Sequence, residues 1–207
     1  MGVEAGGRAG TFSDDVLKLE LSGPQHEHLS VVDVPGIFKR TTEGLTTKKD
    51  IQMVRDMVLS YMTNSRSVML TVIPANVDIA TQEILEMADE VDKEGIRTLG
   101  ILTKPDLIDR GAEGQVVDLL DGKRHSLKLG WHIVRNPGQA ELDEKSGNRD
   151  AAEKKFFKDN MPWSKVDKDK VGITSLKVRL QEVLAGHVRR EFPKVCLLFF
   201  VLHHWLD

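Results

Sequence analysis

Apolar positions along this chain switch between a period near two and a period near three and a half, and the switching predicts the order of its elements. From Val16 to Leu21 apolar and polar residues alternate as in a half-buried strand. Ser22-Gly23-Pro24 then turns the chain into the short apolar run Leu29 to Val32, which predicts a hairpin-like strand pair. Ile51, Val54, Val58 and Tyr61-Met62 recur at helical spacing behind the polar opening Thr46 to Asp50. The β-branched run Val68 to Ile73 stops at Pro74, which has no amide to donate, and predicts a buried strand. Asp78 is expected to open a second helix with the stripe Ala80, Ile84, Met87-Ala88 and Val91, closed by Gly95 before a strand from Arg97 to Leu102. A weaker helix from Glu113 to Leu120 leads to a last strand at Trp131 to Val134, and the charged run from Glu141 to Lys155 reads as a loop at first. Thr174 is expected to cap a long helix burying Leu176, Leu180, Val183-Leu184 and Val188. That helix should end at Arg189-Arg190, before Pro193.

Strands that alternate with amphipathic helices imply an α/β fold, with a mostly parallel sheet covered by helices on both faces. Such sheets bind ligands beyond the carboxyl ends of their strands, so candidate chemistry is sought there.

Composition narrows the field. With 207 residues and 40% hydrophobic content the chain can bury one full core. Its 29 basic and 32 acidic residues give a net charge of -3, which argues against a nucleic-acid partner held by a basic field. Cys196 has no second cysteine to pair with and no signal-like segment opens the chain, so a cytoplasmic location is expected. The longest apolar run, Val195 to Leu202, is eight residues, well short of the roughly 20 that span a bilayer as a helix.

Two short motifs stand directly after predicted strands. Asp33-Val34-Pro35-Gly36 puts a carboxylate at a strand end and a glycine where backbone can approach a ligand closely; alone, it also fits a plain turn. Thr103-Lys104-Pro105-Asp106 follows the strand that ends at Leu102. It resembles the guanine-specifying T/N-K-x-D element, which implies that the carboxylate accepts two hydrogen bonds from the N–H and amino group of guanine, a contact adenine cannot satisfy, and that the lysine stem lies over the base. Lys-Pro-Asp is ordinary turn chemistry too, but the order and placement of both motifs favour the nucleotide reading.

These motifs, with three longer stretches, resemble the dynamin superfamily of GTPases, including its Mx-like branch. The stretches are VVDVPGIFKR at residues 31–40, the PAN-x-D turn Pro74 to Asp78, and EVDKEGIRTLGILTKPDLID from Glu90 to Asp109. The resemblance implies a three-layer P-loop-GTPase-like sandwich, GTP or GDP as ligand, and Mg²⁺ held through water by Asp33. It implies that the Gly36 amide meets the γ-phosphate, that Thr103, Lys104 and Asp106 specify guanine, and that Lys39 reaches a partner across a dimer of such domains. Asp109 matches a family acid near the base and is otherwise a solvated turn residue. The base-closing element falls at Arg135-Asn136, where the family shows Asn-Arg, so the order is reversed and either residue could touch base or ribose. Membranes or microtubules are partners of full-length relatives, which can be membrane-associated.

The G-x-x-x-x-G-K-[S/T] pattern is missing from the 207 residues: Gly122-Lys123 is followed by Arg124, and Gly6 to Gly10 carries neither lysine nor hydroxyl. That loop is the main hold on a nucleotide's charge, so these residues are expected not to hydrolyse GTP alone. The organisation expected is a disordered leader at 1–10, a partial GTP-binding domain at 11–192 lacking its N-terminal part, and a hinge with an apolar tail at 193–207. A missing central strand would leave two unpaired edges and a marginal fold. For the tail, packing on the body, binding a partner, or translation of a non-coding stretch compete, the last being favoured. The alternative to a GTPase is a non-catalytic module from a truncated gene, which holds guanine or docks on a full-length domain through Lys39. A dehydrogenase-like sheet lacks its G-x-G-x-x-G.

Overall fold

The computed structural model describes residues 12–13, 15–20, 23–24, 30–43, 45–143 and 148–204. The leader expected at 1–10 lies outside them. Two compact units divide the chain, Met1–Asn64 and Ser65–Asp207.

Among the described residues of the first unit the helix is α1, Lys48–Met62, and its start is fully specified by local chemistry. Thr47 accepts the Asp50 amide while the Asp50 carboxylate accepts the Thr47 amide at 2.6 Å, a reciprocal capping box. Val54, Val58 and Met62, part of the expected stripe, are buried. Upstream, Phe12 and Phe38 stack with centroids 5.3 Å apart. The hairpin-like pair expected at 16–21 and 29–32 does not form among the described residues: 15–20 and 30–32 have no strand, and Val16, Leu17, Leu19, Val31 and Val32 are exposed. Alternating apolar residues favour a strand only where a neighbour takes the backbone donors and acceptors, and no described strand does so here.

The second unit is built on a parallel sheet in the order β1-β2-β3: β1 is Met69–Pro74, β2 Thr98–Thr103 and β3 Trp131–Ile133. Its helices are α2 (Glu83–Val91), α3 (Glu113–Leu120), α4 (Gln139–Asp143), α5 (Arg149–Asp159) and α6 (Ile173–His204). Period-two alternation sends Leu102 of β2 and Trp131 and Ile133 of β3 to one face, where they pack with Ile73, Leu85, Leu119, Leu120, Phe157 and Trp163. Leu99, Ile101 and Val134 point to the other face and meet Leu176 and Leu180 of α6. The expected α/β architecture, parallel strands with helices on both faces, is what the chain adopts. β2 is buried at every position because both faces are covered, whereas β1 exposes Leu70 and Val72 on the α6 side.

Three expectations are corrected. Asp78 caps only the 3-10 turn Ile79–Thr81, through its carboxylate and the Ala80 amide, and α2 starts afresh at Glu83, so Ala80 is exposed, while Met87 and Ala88 of the expected stripe are buried together with Leu85. The charged run from Glu141 to Lys155 is largely helical in its described residues, because Asn148 accepts the Ala151 amide as an N-cap of α5. The long helix begins at Ile173, before Thr174, and runs through Pro193 to His204 rather than ending at Arg190. Val188 is 60% exposed, so the buried side is carried by Leu176 and Val183 with Leu180 and Leu184 half-buried. A proline removes one hydrogen bond of the ladder but does not forbid the helix on either side. No described helix is long and apolar enough to cross a membrane.

Candidate functional site

The three strands end level: Pro74 is opposite Thr103, and Leu102 opposite Ile133, so the loops after them leave from one edge of the sheet. At the end of β2, Thr103 is buried; its hydroxyl donates to the Ile73 carbonyl at 3.4 Å and its carbonyl accepts the Ala75 amide at 2.7 Å. Lys104 then takes φ 56° and ψ 48°, the left-handed region that non-glycine residues rarely occupy. This reverses the chain in one step, and Pro105 starts the 3-10 turn Pro105–Leu107 with its fixed φ. The consequence is a buried Pro105 flanked by two exposed side chains, Lys104 and Asp106. Asp109, further along the same loop, is exposed and accepts the Ala112 amide through its carbonyl.

The end of β3 supplies Arg135 and Asn136 to the same edge. Their surroundings come from α4 and α5. Glu153, only 4% exposed, accepts the Arg135 amide at 2.8 Å through one carboxylate oxygen and the Ile173 amide at 2.8 Å through the other. The Arg135 guanidinium donates to Glu141 at 2.8 Å and lies over the Phe156 ring, 5.5 Å from its centroid, with its Nε buried and without a partner. Glu141 also accepts the Gly138 amide at 2.9 Å, and that bond, then Arg135, holds its carboxyl below the usual carboxylate range. Asn136 is exposed and accepts a hydrogen bond from Arg149 at 2.9 Å.

Thr103, Lys104, Asp106, Asp109, Arg135 and Asn136 therefore lie on adjacent loops at one edge. Asp33, Gly36 and Lys39 belong to the unit up to Asn64, and all three are exposed. A Cβ built on Gly36 meets nothing within 4 Å, so packing within this structure does not demand a glycine there. No group of three or more His, Cys, Asp or Glu among the described residues could hold a metal ion. Mg²⁺ commonly uses one or two carboxylates with several waters and phosphate oxygens, so a single exposed Asp33 fits as one contributor and not as a complete site.

Reading of the sequence missed Glu153, Glu141, Phe156 and Arg149. Asn148 followed by Phe157 and Glu153 four residues apart was the available sign of a helix with a buried face. Nothing local shows that Glu153 would reach two backbone amides 18 and 20 residues away. A cavity of about 1150 Å³ lies elsewhere, lined by Trp131, His132, Phe157, Trp163 and Arg179 among others, and includes none of residues 103–106.

Comparison with known proteins bears on the family. Residues 4–105 match the dynamin family and residues 115–196 match the dynamin central region. Mouse interferon-induced GTP-binding protein Mx1 is 39% identical over 185 residues, 88% of this chain and 29% of its own length. Interferon-induced GTP-binding protein Mx of Epinephelus coioides is 38% identical over 188 residues, 89% of this chain and 30% of its length, and Mx2 of Oncorhynchus mykiss is 38% identical over 187 residues. The chain thus spans about three-tenths of the length of the curated relatives it matches. Two adjoining family matches and a set of Mx relatives, on a parallel α/β sheet of the GTPase kind, place this chain in the dynamin superfamily, in its Mx-like branch.

Proposed function

We propose that this chain holds guanine nucleotides through the edge formed by residues 103–106 and 135–136, and that its 207 residues do not turn GTP over by themselves. The observation that carries the reading is the left-handed Lys104 beside the short turn that presents Asp106. Backbone strain of this kind persists where the surroundings over-determine it, and it clusters at ligand clamps. Buried Thr103 and Pro105 fix the two ends, so Lys104 and Asp106 are presented together toward solvent. Asp106 would accept from the guanine N–H and amino group, the stem of Lys104 would cover the base, and Asn136 or Arg135 would close it from the neighbouring strand. With its guanidinium engaged by Glu141 and Phe156, Arg135 is the less available of the two. The name shared by the Mx relatives, GTP-binding protein, supports the same ligand.

The phosphate end is different. No phosphate-binding loop pattern occurs in the sequence, and Mg²⁺, which supplies charge neutralisation on the phosphates when bound, would have Asp33 as its contribution from this chain. Titration calorimetry with GTP, GDP and ATP, together with a phosphate-release assay, tests both halves. Guanine-selective binding without steady release is the expected result. Equal binding of ATP would remove the guanine edge, and sustained release of phosphate by the purified chain would remove the claim of inactivity. Asp106→Ala should cost about 3 kcal/mol of guanine affinity, roughly 100-fold, because a charge-assisted bidentate contact is lost.

A further inference from the structure

Glu153 is a buried carboxylate that the proposed guanine contacts do not use, and it bridges two elements that are far apart in sequence. One oxygen takes the amide of Arg135, in the loop after β3, and the other takes the amide of Ile173, the first residue of α6. The same junction carries further links. Gly172 donates its amide to the Ile133 carbonyl at 2.8 Å, and its own carbonyl lies 2.9 Å from His132 Nε2, so that nitrogen carries the proton and donates. Gly172 sits at φ +83°, and a Cβ there would stand 3.4 Å from Glu153 Oε2, so the turn that lets the carboxylate reach Ile173 is a glycine turn. Phe157, one helical turn after Glu153, is 6% exposed in the core and anchors the face of α5 from which the carboxylate projects.

The geometry points to Glu153 as a positioning residue that clasps the base-closing loop to the start of α6, so that a guanine nucleotide ordering residues 135–136 also orders the first turn of α6. The coupling rests on the guanine-binding reading above; the clasp does not. A carboxylate that accepts two amides at once transmits order because, among the described residues, it is the acceptor found for both amides, and releasing one leaves the other held on a side chain free to turn.

Hydrogen exchange followed by NMR on the full 207-residue chain, with and without GDP, tests the proposal in wild type, Glu153→Ala and Glu153→Gln. Glutamine keeps one acceptor and turns a donor toward the second amide, so it gives a graded result even where alanine unfolds the chain. Exchange at the Arg135 and Ile173 amides should quicken by about 100-fold in the alanine variant and less in the glutamine variant, while amides of 99–102 in β2 stay protected. GDP affinity should fall about tenfold in Glu153→Ala with guanine preferred over adenine as before. GDP should slow exchange at Ile173 in wild type and not in the variant. Unaltered exchange at both amides in the variants overturns the clasp. GDP binding that leaves Ile173 exchange as it was overturns the coupling alone, and a wild-type chain that binds no GDP overturns the guanine reading and the coupling together, with the clasp still decided by the two amides.

Discussion

Lys104 and Gly100, four residues apart in β2 and the turn after it, show opposite solutions to a steric demand. Gly100 lies opposite Trp131, and a Cβ built on it would fall 2.2 Å from the indole ring, so the strand pairing admits no side chain there. The ring is fixed in turn by its N–H, which donates to the His125 carbonyl at 2.8 Å. Gly100→Ala should therefore destabilise the chain by about 1–3 kcal/mol, read as a lowered midpoint in a denaturant titration. Lys104 is the reverse case: a left-handed position that glycine would fill without strain is occupied by lysine. Lys104→Gly should raise stability by about 1 kcal/mol and weaken guanine binding at the same time. A variant that is both more stable and tighter-binding would show that the lysine has no part in the site.

At the scale of elements, the start of α6 is decided by contacts from β3 and α5 more than by its own sequence. His132 is buried at 1% exposure, and burial lowers its pKa below the ordinary value, a shift only partly opposed by its hydrogen bond to the Gly172 carbonyl and the charge of Glu153. The unfolded chain then binds a proton that the folded chain refuses, so this residue makes stability fall as pH drops from about 6.5 toward the depressed folded value, and has no effect well above 6.5. Melting temperatures between pH 7.5 and 5 should decline more steeply in wild type than in His132→Gln, which cannot take up the proton. Equal slopes would mean that His132 titrates as freely folded as unfolded. The EVDKEGIRT stretch that helped to reveal the family has a structural task of the same kind. The Asp92 carboxylate accepts the amides of Ile96 and Arg97 and the Thr98 hydroxyl, and buried Arg97 donates to the Ser67 and Val91 carbonyls. These bonds set where β2 begins, and so where its far end delivers Thr103.

Across the unit from Ser65 onward, coverage of the sheet is uneven. Helix α6 packs on β2 and β3, where Leu99, Ile101 and Val134 meet Leu176 and Leu180, but the same face of β1 presents Leu70 at 41% and Val72 at 58% exposure. In the described structure β1 is also an end strand of the sheet, so an apolar face adjoins a free backbone edge, the combination that promotes association. Val72→Lys should therefore raise the concentration at which the chain stays monodisperse in light scattering, with little change in its melting temperature. A clear loss of stability in that variant would show Val72 to be packed in solution. Thermal melting of the chain by circular dichroism also tests the marginal stability expected from the sequence; a cooperative transition well above room temperature would count against it.

How far the residues alone carried these conclusions follows from which forces are local. The periods of apolar residues, the proline at the end of β1, the glycine before β2 and the capping pair Thr47-Asp50 act over a few positions, so β1, β2, β3, α1 and α3 could be read within a residue or two. The motif at 103–106 was legible for the same reason, because its chemistry lies in four consecutive residues. The early strand pair was misread because a strand exists only with a neighbour to share its hydrogen bonds, and α6 was cut short because its continuation past Pro193 does not depend on the one amide the proline lacks. The candidate edge needed tertiary structure for all that surrounds it: the level ends of three strands, the guanidinium of Arg135 drawn to Glu141 and Phe156, and the Glu153 carboxylate shared between two amides. Sequence thus nominated the residues proposed to contact a guanine base. Folding determined which of them are presented and what holds them, since burial and long-range hydrogen bonds arise only when distant segments meet.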